Sequence, residues 1–213
     1  MKEQTANKSR KRIGLLGGTF DPIHIGHLIL AQEAYENFDL DRVLLMPTGH
    51  SYFKDTREEK VSDPAVRLEM TREAAAGDSR FAVSDLEVLR PGNSYTAETL
   101  TELHAADPEA SYFYIVGADT LCIMRKWYQP QTIFDLCTVI AAFRDDQTDT
   151  ETLYREAEAL RADFGAKIEM LPARNIDLSS TEIRARVRAG LPIRYMVNAP
   201  VEAYITSHGL YTS

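Results

Sequence analysis

Few ways of folding accommodate an apolar run, Ile13-Gly14-Leu15-Leu16, that passes directly into Gly17-Gly18-Thr19-Phe20-Asp21-Pro22-Ile23-His24-Ile25-Gly26-His27. A short apolar run, a glycine pair, a Pro-containing turn and a helical pattern from Gly26 onward predict a strand, a tight loop and a helix N-terminus. The first turn of a helix leaves backbone N–H groups without partners, and the macrodipole adds roughly half a positive charge there, so such a junction attracts phosphate. Gly17 and Gly18 are expected to let the chain turn sharply and a phosphate approach the backbone. His24 and His27 are three apart, and if the helix begins near His24 both rings project toward one side of its first turn. Two imidazoles there supply hydrogen bonds and, when protonated, positive charge.

The rest of the chain alternates strand and helix signals. Arg42–Pro47 is a continuously apolar run, as expected of a parallel strand covered on both faces. Ser62-Asp63-Pro64 starts a helix with a capping residue and a first-turn proline, and Val66, Met70 and Ala74 fall on one stripe of it. Phe81–Ser84 reads as a short strand that Asp85–Val88 extends or pairs with at an edge, before the turn Pro91-Gly92-Asn93. A helix follows, with Thr96 able to cap it and Leu100 and Leu103 as its apolar stripe. Ser111–Gly117, Thr138–Phe143 and Lys167–Leu171 read as strands, Thr152–Phe164 as an exposed helix, and helices near 181–189 and 200–207 close the chain. The alternation predicts an α/β fold, a doubly wound parallel sheet, with a small C-terminal helical part. Residues 1–11 are expected to form a disordered basic leader and residues 12–213 one domain.

Composition narrows the function classes. Five Lys/Arg against one Glu in residues 1–12 give +4, so with a net charge of −8 the remainder carries −12. An acidic body argues against a broad nucleic-acid surface. No stretch approaches the roughly 20 apolar residues of a membrane helix, and the N-terminus has no apolar signal core, so a cytoplasmic protein without a membrane partner is expected. Cys122 and Cys137 each sit in an apolar stretch without metal spacing and read as buried free thiols.

A second string, Ser179-Ser180-Thr181-Glu182-Ile183-Arg184, opens another helix. Ser179 with Glu182 fits a capping box, and three hydroxyls at a helix start are by themselves a plain N-cap run. Arg184, however, lies on the same face as Ser180 and Thr181, so hydroxyls, N–H groups and a guanidinium can converge on one polyphosphate. Between the two strings, Gly117-Ala118-Asp119 ends a strand, and Lys126-Trp127-Tyr128 holds the only Trp, an aromatic plate suited to a flat ring.

The histidine string resembles the H-x-G-H signature of the nucleotidyltransferase superfamily, and with its flanks the chain is similar to the nicotinate-nucleotide adenylyltransferases. The likeness runs over nearly all of residues 12–211, including Val83–Glu87, Ile193-Arg194-Tyr195 and His208–Tyr211. It implies a Rossmann-like nucleotidyltransferase fold in which His24 and His27 bind the ATP phosphates and the charge developing at the α-phosphorus, without a covalent intermediate. It further implies that Thr19, Phe20 and the Gly17-Gly18 backbone assist, and that Ser179, Ser180, Thr181 and Arg184 hold the β- and γ-phosphates. Gly117 and Asp119 would line the nucleotide site, Thr96 would contact the nicotinate, and Trp127 with Tyr128 would stack on the pyridine ring. The chain departs from the family at residue 53: Phe53 stands where a histidine is common, while Lys54 keeps the cation and His50 lies nearby. Lys54 is accordingly assigned to the phosphates.

The implied reaction is ATP-dependent adenylyl transfer to nicotinate mononucleotide in NAD biosynthesis, with Mg²⁺ held by phosphate oxygens and water, since no carboxylate cage and no protein metal site is apparent. Nicotinamide mononucleotide or another phosphate acceptor, and a nucleotide-binding sensor without turnover, are the alternatives. A dinucleotide-dependent oxidoreductase is disfavoured, because the loop is not G-x-G-x-x-G and two imidazoles occupy the approach. The expected partners are small-molecule substrates. A homo-oligomer is compatible with the sequence, which does not set its stoichiometry.

Overall fold

The computed structural model describes residues 10–50, 61–143 and 149–212. Six strands form one parallel sheet in the order β3-β2-β1-β4-β5-β6: β1 Arg12–Gly18, β2 Arg42–Pro47, β3 Phe81–Val83, β4 Ser111–Gly117, β5 Cys137–Phe143 and β6 Lys167–Pro172. The helices are α1 Ile25–Asn37, α2 Pro64–Ala75, α3 Leu86–Leu89, α4 Thr96–Ala106, α5 Ala118–Leu121, α6 Pro130–Leu136, α7 Thr150–Phe164, α8 Ser180–Arg188 and α9 Ala199–Ser207. The order reverses between β1 and β4, so the crevice of this doubly wound sheet opens at their C-terminal ends.

The continuously apolar strands are explained by a core on each face. Leu15, Tyr112, Tyr114, Val116, Val139 and Ala141 point toward one layer, where α4, α5, α6 and α7 bring Leu100, Leu121, Ile133 and Leu160. Their neighbours Leu16, Phe113, Ile115 and Ile140 point the other way, against Ala31 and Ala34 of α1, Met70 of α2, Ile183 of α8 and Val201 of α9. Register is even across the centre, with Leu15 opposite Leu44 on β2 and Tyr114 on β4. The Asp63 carboxylate caps α2 by accepting the Ala65 N–H at 2.8 Å, and α7 stops at Gly165, whose φ of +65° suits glycine.

Three local expectations change. Asp85–Val88 does not extend β3: the Asp85 carbonyl takes the Leu89 N–H at 2.9 Å, and the segment winds into α3 with Glu87 turned inward to accept the Thr99 hydroxyl at 2.8 Å. Helix α7 is amphipathic rather than exposed, because Leu153, Ala157 and Leu160 are buried. Tyr95, not Thr96, is the N-cap of α4. Most of the basic leader lies outside the described residues, as does Lys54 together with Phe53. No helix among the described residues is long and apolar enough to cross a membrane.

Candidate active site

Gly17 and Gly18 do not make the turn expected of them; both still belong to β1. Their missing side chains are replaced by neighbours, since a Cβ on Gly17 would lie 3.1 Å from the Tyr114 hydroxyl and one on Gly18 only 2.6 Å from the Phe20 ring. The chain turns at Phe20, with φ of +51°, and at the cis peptide Asp21–Pro22. Thr48 clasps the strand end by donating its N–H to the Gly18 carbonyl at 2.8 Å. Arg67, reaching in from α2 and only 2% exposed, gives its three nitrogens to three loops: Nη1 to the Thr19 carbonyl at 2.7 Å, Nη2 to Gly49 at 2.9 Å and Nε to Ser62 at 3.0 Å.

His24 is the N-cap of α1, so the two histidines do open one helix turn, and their rings stack with centroids 3.7 Å apart. The His24 N–H donates to His27 Nδ1 at 3.2 Å, which uses that lone pair and puts the proton of a neutral His27 on Nε2. The Phe20 ring, 1% exposed, meets the His27 ring edge-on at 4.9 Å, so it supports the histidine and lines neither of the cavities described below. Gly26 packs close under the His24 ring: a Cβ there would sit 3.1 Å from its Nδ1, a tight approach that the ring would have to yield to. That Nδ1 is buried without a hydrogen-bond partner among the described residues, and burial pulls the His24 pKa down to about 4. His24 is therefore neutral near pH 7 and does not bring the charge that the sequence reading allowed it.

The start of α8 docks on the same loop. Ser179 caps it by accepting the Glu182 N–H at 3.1 Å, Ser180 Oγ donates to the Pro22 carbonyl at 2.9 Å, and Arg184 Nη1 donates to the Asp21 carbonyl at 2.8 Å while Nη2 reaches Thr181 Oγ1 at 3.2 Å. The two strings, far apart in sequence, thus meet through backbone carbonyls of the loop.

Two cavities flank the crevice. One, of about 390 Å³, is lined by His24, Gly26, His27, Leu30, Ser179 and Ser180 with Gly117 and the ends of β5 and β6. The other, of about 420 Å³, is lined by the Gly17–Thr19 strand end, His27, Leu30, Thr96, Tyr114, Gly117, Trp127 and Tyr128. His27, Leu30 and Gly117 belong to both. In the second cavity Thr96 Oγ1 lies 3.3 Å from the Tyr114 hydroxyl, and Tyr95 packs on Tyr128 with centroids 4.6 Å apart. Thr181, Arg184 and Asp119 line neither cavity; Asp119 is exposed in the first turn of α5, and its neighbour Thr120 takes the place in the lining. Thr48, Glu87 and Thr120 were not anticipated there. Glu87 is buried and its pKa is raised by that burial, against the lowering effect of the Thr99 hydroxyl.

The cytidylyltransferase-like family model matches residues 15–186, a span that contains both strings and both cavities. The chain belongs to the cytidylyltransferase-like family. Among its relatives, a probable nicotinate-nucleotide adenylyltransferase from Synechococcus sp. (strain JA-3-3Ab) is 42% identical over 95% of this chain and 95% of its own. One of the same name from Lachnoclostridium phytofermentans is 37% identical over 94% of this chain and 99% of its own. The fold also matches a solved structure of Plasmodium falciparum nicotinic acid mononucleotide adenylyltransferase complexed with NaAD, with a TM-score of 0.74 at 18% identity, covering 94% and 97% of the two chains. At that identity the likeness concerns the fold alone.

Proposed function

We propose that this protein transfers the adenylyl group of ATP to nicotinate mononucleotide, releasing pyrophosphate and forming nicotinate adenine dinucleotide. One observation carries the reading: the two cavities share His27, Leu30 and Gly117 as a common wall. Two nucleotides seated on either side of it meet with their phosphates beside His27. The cavity bordered by the N-termini of α1 and α8 suits ATP, whose charge those helix ends attract. The aromatic cavity, with Trp127, Tyr95 and Tyr128, suits the flat pyridine ring. The relatives named for this activity at 37% and 42% identity support the reaction.

The 5′-phosphate of the acceptor attacks the α-phosphorus in line, and little covalent work is left to the protein beyond alignment and charge stabilisation. His27, with its proton on Nε2, donates to the equatorial oxygens as charge spreads over them, and His24 presents the neutral ring that stacks behind it. Ser180, which lines the cavity, would face the leaving pyrophosphate, while Arg184 and Thr181 hold the loop behind it and, from outside the described residues, Lys54 would add a cation. Among the described residues no three His, Cys, Asp or Glu side chains group to hold a metal, so Mg²⁺ would enter on phosphate oxygens and water. When bound it neutralises charge on the pyrophosphate.

The test is pyrophosphate release with ATP and Mg²⁺, comparing nicotinate mononucleotide with its amide. A large preference for the acid is expected, and His27→Ala should lower turnover on the order of a hundredfold or more. Normal turnover by that variant, or no release with either acceptor, would sink the assignment.

A further inference from the structure

Asp21 is 3% exposed and joins four segments of the chain. Its Oδ2 accepts the Ser62 N–H at 3.1 Å, leading into α2, and its Oδ1 accepts the Tyr211 hydroxyl at 2.7 Å, beyond α9. Its carbonyl accepts Arg184 Nη1 at 2.8 Å, and Arg67, whose charge faces the Asp21 carboxylate, fixes the preceding residue pair through the Thr19 carbonyl at 2.7 Å. Tyr211 is held with φ of +62°, a left-handed conformation that is unfavourable for a non-glycine residue and persists only where surrounding contacts impose it. Its ring packs in the core beside α1 and α2, and its hydroxyl keeps its proton, because burial and then the Asp21 carboxylate both raise its pKa. The most C-terminal described part of the chain is thus bonded to the turn that carries the catalytic histidines.

We propose that Tyr211 is a positioning residue for adenylyl transfer: by fixing Asp21 it sets the seat of Arg184, and through it the start of α8, whose Ser179 and Ser180 line the cavity assigned to the ATP phosphates. The hydroxyl touches no substrate. Without it the Asp21 carboxylate loses a buried partner, the residue rotates, and the carbonyl that orients Arg184 moves with it.

The activity readout rests on the function proposed above. Tyr211→Phe removes only the hydroxyl and keeps the ring. We expect kcat for pyrophosphate release to fall about tenfold and KM for ATP to rise severalfold, as for loss of one hydrogen bond to a charged group. KM for nicotinate mononucleotide should stay at the wild-type value, since the start of α8, which Arg184 anchors, lines the cavity assigned to ATP through Ser179 and Ser180 and does not line the aromatic one. An inactive fraction would lower the rate while leaving both KM values unchanged, and that outcome overturns the proposal. A double-mutant cycle with Arg184→Ala gives the second decision. If Tyr211 works through Arg184, Tyr211→Phe slows that variant less than twofold; a full tenfold loss there, or wild-type constants in the single variant, also overturns it. Should the wild-type protein release no pyrophosphate with nicotinate mononucleotide, the activity reading fails. Affinity for ATP with Mg²⁺, titrated without acceptor, then decides this proposal: Tyr211→Phe weakens it in the wild-type background and not beside Arg184→Ala, and equal effects in both would reject it.

Discussion

His24 carries an ionisable ring into a place where its Nδ1 is buried with no hydrogen-bond partner among the described residues, and the proton is the group that gives way. Its pKa falls from about 6.5 in the unfolded chain to about 4 in the folded one, so the unfolded chain binds the proton first as pH drops. The stability that His24 contributes is therefore present above pH 6.5 and is lost between pH 6.5 and 4, on the order of 3 kcal/mol at full protonation. Urea unfolding across that window should show the decline, reduced in His24→Asn, and one of the five imidazoles should titrate near pH 4 by NMR. The three-residue spacing of His24 and His27 was enough to predict that they share a helix turn. Their charge was not legible, because burial depends on Phe20, Gly26 and the packing around them, none of which a spacing encodes. The role of Gly17 and Gly18 was misjudged for a similar reason: glycine reads locally as a turn, whereas here it makes room for Tyr114 and Phe20, rings that fold back from other positions.

Among the elements, α2 holds the site together although it lines neither of the two cavities. Through Arg67 it binds the carbonyls of Thr19, Gly49 and Ser62, so that strand ends β1 and β2 and the start of α2 itself are fixed by one planar group. Replacing Arg67 by Met would leave three carbonyls unsatisfied at a position nearly closed to water, and should cost about 3 kcal/mol in urea denaturation, with slower turnover in the protein that remains folded. Nothing in the sequence marked Arg67, since its acceptors are backbone groups of distant loops and its own stripe reads as an ordinary apolar face. The helix starts at His24, Pro64 and Ser180 were legible because capping chemistry is local. Helix α3 was not: the tendency of Asp85–Val88 toward a strand yields to the burial of Glu87 against Thr99.

At the level of the whole molecule, the sheet is rigid between two cores and the site lies at the one edge where β1 and β4 diverge. ATP would bridge α1 and α8, two helices otherwise joined there through loop carbonyls, and would bind the folded chain alone. At a hundred times its Kd it should stabilise the protein by about 2.7 kcal/mol, and a thermal melt with ATP and Mg²⁺ should rise by roughly 5 to 10 °C for a chain of this size. An unchanged midpoint would remove ATP from the cavity beside His24 and Ser180.

The common wall of His27, Leu30 and Gly117 also bears on how the site empties. On the proposed assignment pyrophosphate would touch one side of it, whereas the dinucleotide would be gripped on both, and when one half lifted away the other would keep it tethered at an effective concentration of roughly millimolar order. Departure of the joined product, rather than formation of its bond, would then be the slow stage of the cycle. A purine mimic linked by a short tether to a pyridine carboxylic acid would inherit the same double grip, and with it a long residence time that neither half has alone.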